Sequence, residues 1–261
     1  MTTARAALAA LVLALPLQAA EPVRDGALHA LFEREFKRSL EESPESATQL
    51  GIDGYDDRLT DRAPAAVARR KAHVLAVIAE LERFEPRRLP IQDRISREVM
   101  LTDLRLQAEE NAIYGDLPFA AGDSYMPVSS TGGPHSGLVG VSKATRFRTV
   151  KDYENYLARL HAVPRAIGQL METMRAGMKS GWMPPAEAMT RATAQFAVFA
   201  APDAKATPLW RPFDQFPSGV PEAERARLAR QGEEVLSAKV HPAFAELKRF
   251  TESEYLPLAR K

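Results

Sequence analysis

The sequence predicts an all-α protein, an antiparallel multi-helix array with one long Gly/Pro-containing loop. Three observations carry that prediction. Apolar residues recur at steps of three and four through most of the 261 residues. Prolines and glycines punctuate those stripes where helices start and stop. No segment sustains the alternation of a half-buried strand, and no repeat with a period of about 20 to 50 residues is present.

The first stripe is Leu28, Leu31, Phe32, Phe36 and Leu40. Ser43 and Pro44 open a second, short helix, with Ser43 as N-cap and Pro44 in the first helical position. Gly51 stops it. After the loop "GIDGYDDRLTDRA", a third helix starts near Pro64. Val67, Val74, Leu75, Ile78, Leu81 and Phe84 share one of its faces, and Pro86 ends it. A fourth helix begins at Pro90 and runs to about Tyr114, with Ile91, Ile95, Val99, Leu106 and Ile113 toward the core.

The irregular stretch follows, from Gly115 to about Arg148. Its centre, "SYMPVSSTGGPHSGLVG" at 124–140, is the least helix-like part of the chain. The strongest helical pattern then runs from Val150 through Tyr153, Leu157, Leu160, Ile167, Met171 and Met174 to Met178. Pro164 inside it predicts a kink or a split. Pro184 and Pro185 open a helix bearing Met189, Ala192, Phe196 and Phe199. A proline-rich connection leads to a last helical region, Glu222 to about Glu254, which Pro242 is expected to break in two.

The beginning of the chain reads differently. "MTTARAALAALVLALPLQAA" has an early Arg5, an apolar run from Ala6 to Leu17, and small residues at Ala19 and Ala20. That is the layout of a secretory signal peptide at 1–20, too short for a bilayer span. It predicts a mature chain of 21–261, periplasmic or secreted, with no membrane association after cleavage. Lys and Arg number 35 against 34 Asp and Glu, so no nucleic-acid partner is implied. The sequence contains no cysteine, which removes disulfides, thiol nucleophiles and Cys-ligated metals.

Motifs of catalysis are missing. His29, His73, His135, His161 and His241 include no pair four apart, and there is no H-E-x-x-H. No G-x-S-x-G surrounds a serine, and Ser136 beside His135 is a sequence neighbour, not a triad. "STGGPHSG" lacks the lysine and the preceding strand of a phosphate loop. Asp56-Asp57, Glu109-Glu110 and Glu233-Glu234 point to different azimuths and read as solvated faces. Met171, Met174 and Met178 read as core rather than as a groove.

Five stretches together resemble one bacterial family, catalogued as domain of unknown function 885. They are "ESPESATQLGIDGYDDRL" at 42–59, "SSTGGPH" at 129–135, the segment from Phe147 to Pro185, "ATPLWRPF", and the closing "FTESEYLPLAR". Their order and spacing resemble the family's amino-terminal part. The resemblance implies a longer, exported, helical protein similar to zinc metallopeptidases of the cleft-forming kind. Its zinc would sit on an H-E-x-x-x-H-type helix in a carboxy-terminal half. No residue here matches those ligands, so no catalytic residue, metal ligand or cofactor is assigned to this chain.

The resemblance thus implies a truncated, inactive amino-terminal half whose partner is a complementary carboxy-terminal half. The alternative is a stand-alone periplasmic module that binds a peptide or a partner. In a family-like whole, the 124–140 loop would border the cleft. Gly132 and Gly133 would let the backbone approach a peptide-like substrate, and Tyr125 and His135 would add polar contacts. The plainer reading is that these glycines and prolines only turn the chain between helices.

Overall fold

The computed structural model describes residues 24–121, 127–129 and 131–260. The leader expected at 1–20 and the candidate Tyr125 lie outside them. Ten α-helices are present among the described residues: α1 (Gly26–Glu42), α2 (Pro44–Leu50), α3 (Pro64–Leu81), α4 (Ile91–Tyr114), α5 (Pro134–Ala144), α6 (Val150–His161), α7 (Val163–Ser180), α8 (Ala186–Phe199), α9 (Glu222–Val235) and α10 (His241–Phe250). No strand occurs among them, only an isolated bridge between Pro185 and Arg260. The all-α class is as the sequence predicts. No described helix is long and apolar enough to cross a membrane.

Local chemistry explains most boundaries. Asp25 caps α1, accepting from the N–H groups of Ala27 and Leu28 at 3.0 Å. Ser43 precedes α2 but does not cap it; its hydroxyl pairs with that of Ser46 at 2.8 Å. Gly51 ends α2 in the left-handed region, φ 73°, where a side chain would be strained. Pro164 does split the strongest stripe: α6 stops at His161, and the proline takes the first turn of α7, where its missing N–H costs nothing.

Pro242 acts differently. The chain stays helical from α9 through α10, because Leu236–Val240 forms a wide π turn just before the proline. Widening moves backbone groups out of the α register, which relieves the clash a proline ring makes with a preceding carbonyl. A second π turn, Thr251–Tyr255, closes α10.

Two apolar clusters hold the helices. The larger joins α6, α7, α8, α9 and α10 through Tyr153, Ile167, Met174, Phe196, Phe244 and Leu247, among others. Phe199 and Phe244 stack at 4.8 Å between ring centroids. Met171 and Met174 are buried here, and Met178 packs against the cluster. The smaller cluster joins α1, α3 and α4 through Leu28, Leu31, Val77, Leu81, Leu89 and Leu101. Each such burial contributes roughly 1.5–3 kcal/mol.

Two expectations are corrected. Ile91, Ile95, Val99, Leu106 and Ile113 of α4 face outward, 49% to 70% exposed, as do Phe36 and Leu75. The inward face of α4 instead carries Asp93, Arg97, Leu101, Asn111 and Tyr114. The long loop is also interrupted: α5 lies inside it, starting at Pro134.

Candidate functional site

A cavity of about 480 Å³ opens where α2, α5, α7 and the loop before α5 converge. Helices α5 and α7 supply apolar walls, Leu138 and Val141 from one, Val163, Ile167 and Leu170 from the other. These come from the same helical stripes that build the larger cluster, so the walls are rigid. α2, the residue before it and the segment after it supply the polar side, with Ser43, Glu45, Ser46, Gln49, Thr60 and Arg62. The volume and the mixed lining suit a small ligand or a short peptide segment.

The loop side is built around Ser129. Its N–H donates to the Gly132 carbonyl at 2.8 Å, and its hydroxyl oxygen accepts from the Gly132 N–H at 2.9 Å. Gly133 follows with φ 131°, a conformation that L side chains rarely adopt. That turn aims Pro134 into the first turn of α5, so the positive end of the helix dipole borders the cavity.

Two clamps fix the polar side. The Glu45 carboxylate accepts from the Thr60 hydroxyl at 2.6 Å and from its N–H at 3.0 Å. Gln169 of α7 donates to Asp61 at 2.8 Å and accepts from the Arg62 N–H at 2.9 Å. The Asp61 carboxyl is held below its ordinary value, first by the Ala63 N–H and then by Gln169, against a cost of burial. Both carboxylates are therefore occupied as hinges of the wall rather than poised as acid and base.

Deeper still lies Arg159, 1% exposed. Its Nε donates to the Arg58 carbonyl at 2.9 Å. Its Nη2 reaches the Tyr55 carbonyl at 2.9 Å and the Thr48 hydroxyl at 3.0 Å. The Thr48 hydroxyl in turn donates to the Asp56 carboxylate at 2.7 Å. Burial pulls the Arg159 guanidinium below its usual range, and Asp56, Glu45 and Asp57 oppose that pull. The guanidinium thus anchors α2 and the loop after it to α6. No sequence signal singles out Arg159, which sits on the flank of the apolar stripe of α6.

The candidate residues divide. Gly132 and Gly133 line the cavity. His135 does not: its buried ring meets Phe196 at 5.4 Å and Phe199 at 6.5 Å, both edge-on, inside the α5–α8 contact. Tyr125 lies outside the described residues. The Gly132 N–H, expected to face substrate, is engaged by Ser129. Met171, Met174 and Met178 are not among the lining residues. Among the described residues, no three His, Asp or Glu side chains converge where they could hold a metal ion.

Comparison with known proteins gives a family and a fold. The sequence matches the family described as "Bacterial protein of unknown function (DUF885)" over residues 44–261. No curated protein matches it. Among solved structures it is similar to "the putative lipoprotein from Colwellia psychrerythraea", with a TM-score of 0.77 at 19% identity. The likeness covers 90% of this chain and 42% of that one, so the chain spans less than half the length of the structure it matches.

Proposed function

From the premise that this chain belongs to that bacterial family of unknown function (DUF885), we propose that it forms the substrate-holding wall of a longer, exported peptidase-like protein. The cavity between α2, α5 and α7 receives a peptide segment. The reactive centre comes from a complementary carboxy-terminal half. The observation that carries this reading is the cavity itself: about 480 Å³, apolar on two walls and bordered by Gly132 and Gly133. Its carboxylate Glu45 is already committed to Thr60. The Colwellia structure supports the reading because it continues well beyond the matched region. The signal-like pattern at 1–20 supports export.

The chain's own residues would do three things. Leu138, Val141, Ile167 and Leu170 would desolvate an apolar side chain. The start of α5 would favour carbonyl or carboxylate oxygens over amines. Arg159 and Gln169 would keep the polar wall from yielding.

Gly137 provides the test. It lines the cavity, and a Cβ added there meets no heavy atom within 4 Å. Gly137→Trp should fill the space without disturbing the fold. Calorimetric titration with short apolar peptides should show weak binding to the parent chain, lost in Gly137→Trp at an unchanged unfolding midpoint. Peptide hydrolysis by this chain alone after zinc is added, or binding indifferent to Gly137→Trp, would refute the reading.

A further inference from the structure

Helix α4 carries a second apolar face turned away from the other described elements. Ile91, Ile95, Val99, Leu106 and Ile113 stand on it, opposite the buried Leu101 and Arg97. From Ile95 onward the outward positions run Ile95, Val99, Thr102, Leu106, Glu109 and Ile113. Those steps alternate between four and three, the spacing of a coiled-coil seam rather than of scattered surface residues. An ordinary monomer surface tolerates single exposed apolar residues but seldom several in register along one helix face.

The charges beside the seam select the occupant. Glu98 and Arg105 lie seven residues apart on the same flank, with side chains 51% and 55% exposed. Seven residues is two helical turns, so the two charges sit in equivalent seam positions with opposite signs. An antiparallel helix of the same sequence, related by a two-fold axis beside Met100 and Leu101, sets Ile95 against Leu106 and Val99 against Thr102. It also sets each Glu98 beside an Arg105 of the other copy, once on either side of the axis. A parallel arrangement would instead bring Glu98 beside Asp103, a repulsive pair.

We propose that this face is the interface with a second copy of the chain, an antiparallel pairing of α4 with α4. The inference does not depend on the cavity. Within one copy Glu98 bonds Arg97 and Arg105 reaches Glu82 at 2.8 Å, so each charge shares or exchanges its partner when the second copy arrives. One helix pair is a small interface, below the roughly 1,200 Å² at which stable complexes begin. The dimer is therefore in concentration-dependent exchange, not permanent.

Analytical ultracentrifugation of the 261-residue chain over a wide concentration range tests this. The expected result is a monomer–dimer equilibrium. Leu106→Glu replaces an exposed residue, so its circular dichroism should match the parent while the protein stays monomeric throughout. Glu98→Arg should weaken the dimer about tenfold, since two surface pairs turn repulsive. Combining Glu98→Arg with Arg105→Glu should restore it. A parent chain that is monomeric at every concentration would overturn the proposal and leave the face to a different polypeptide. So would a dimer indifferent to Leu106→Glu, or a charge swap that fails to restore what Glu98→Arg removed.

Discussion

Around α6 to α10 the buried residues are mostly the apolar ones, from Tyr153 to Phe250, with Arg159 and His241 as exceptions. Around α1, α3 and α4 that correspondence fails. Ile95, Val99 and Leu106 point outward, while Asp93 and Arg97 are 2% and 5% exposed. The inward polar groups have specific partners. Asp93 accepts from the Asp25 N–H at 2.5 Å and lies 2.9 Å from the His29 ring nitrogen. Arg97 donates to the Leu81 carbonyl at 3.0 Å. In the first region burial mainly follows apolar area, and on α4 it also follows hydrogen bonds between segments far apart in the chain. A helix with two contrasting faces does not announce which one is covered.

The comparison can be sharpened by substitution. Phe244→Ala, in the centre of the larger cluster, should cost about 3–5 kcal/mol in denaturant unfolding, through a lost ring and a residual cavity. An equal loss from Leu101→Ala in the smaller cluster would break the ranking; the expected figure there is about 2–3 kcal/mol. Next comes Arg159→Met, which leaves the carbonyls of Tyr55 and Arg58 without their donor. It should cost about 2–3 kcal/mol and speed amide exchange across the loop after α2.

Acid should reach the two regions in order. Burial pushes the His241 ring below its ordinary 6.5, with Asp203 opposing. Neither ring nitrogen has a hydrogen-bond partner among the described residues. The folded form then binds fewer protons than the unfolded chain, so stability falls as pH drops through 6.5. His241→Gln should flatten that slope. The Asp93 carboxyl is held below its ordinary 3.8 by the Asp25 N–H and by His29. Its contribution is present above that value and disappears only as pH falls through the lower folded value. Amide exchange should therefore show α10 loosening before α4. The smallest effect belongs to Ile95→Lys, within about 0.5 kcal/mol for an exposed site at concentrations where the chain is monomeric.

How much of this was readable from the sequence varies by segment. α7 and α8 were legible because a dense apolar stripe is bounded by Pro164, Gly181 and Pro185. α5 was not, because Gly137 and Gly140 dilute its pattern inside a loop-like composition. Gly132 and Gly133 could be picked out as a turn. The cavity beside them could not, since it forms from segments more than a hundred residues apart, as the Gln169–Asp61 bond illustrates. His135 looked available because it neighbours the glycines, yet the first turn of α5 rotates it into the aromatic cluster. Arg159 left no trace, because a buried cation is recognisable only by the carbonyls that receive it.

The two π turns that flank α10 have a consequence for how this protein can change over generations. Each wide turn accommodates one more residue than an α-helical turn would. Deleting a single residue from Leu236–Val240 would therefore tighten the turn to α-helical form, whereas the same deletion inside α9 would turn everything after it by about 100°. In the first case Phe244 and Leu247 keep their inward face, and in the second they leave the interior together. Along this helical run a one-residue change in length is absorbed at the wide turns, and it is the α-helical turns between them that fix the residue count.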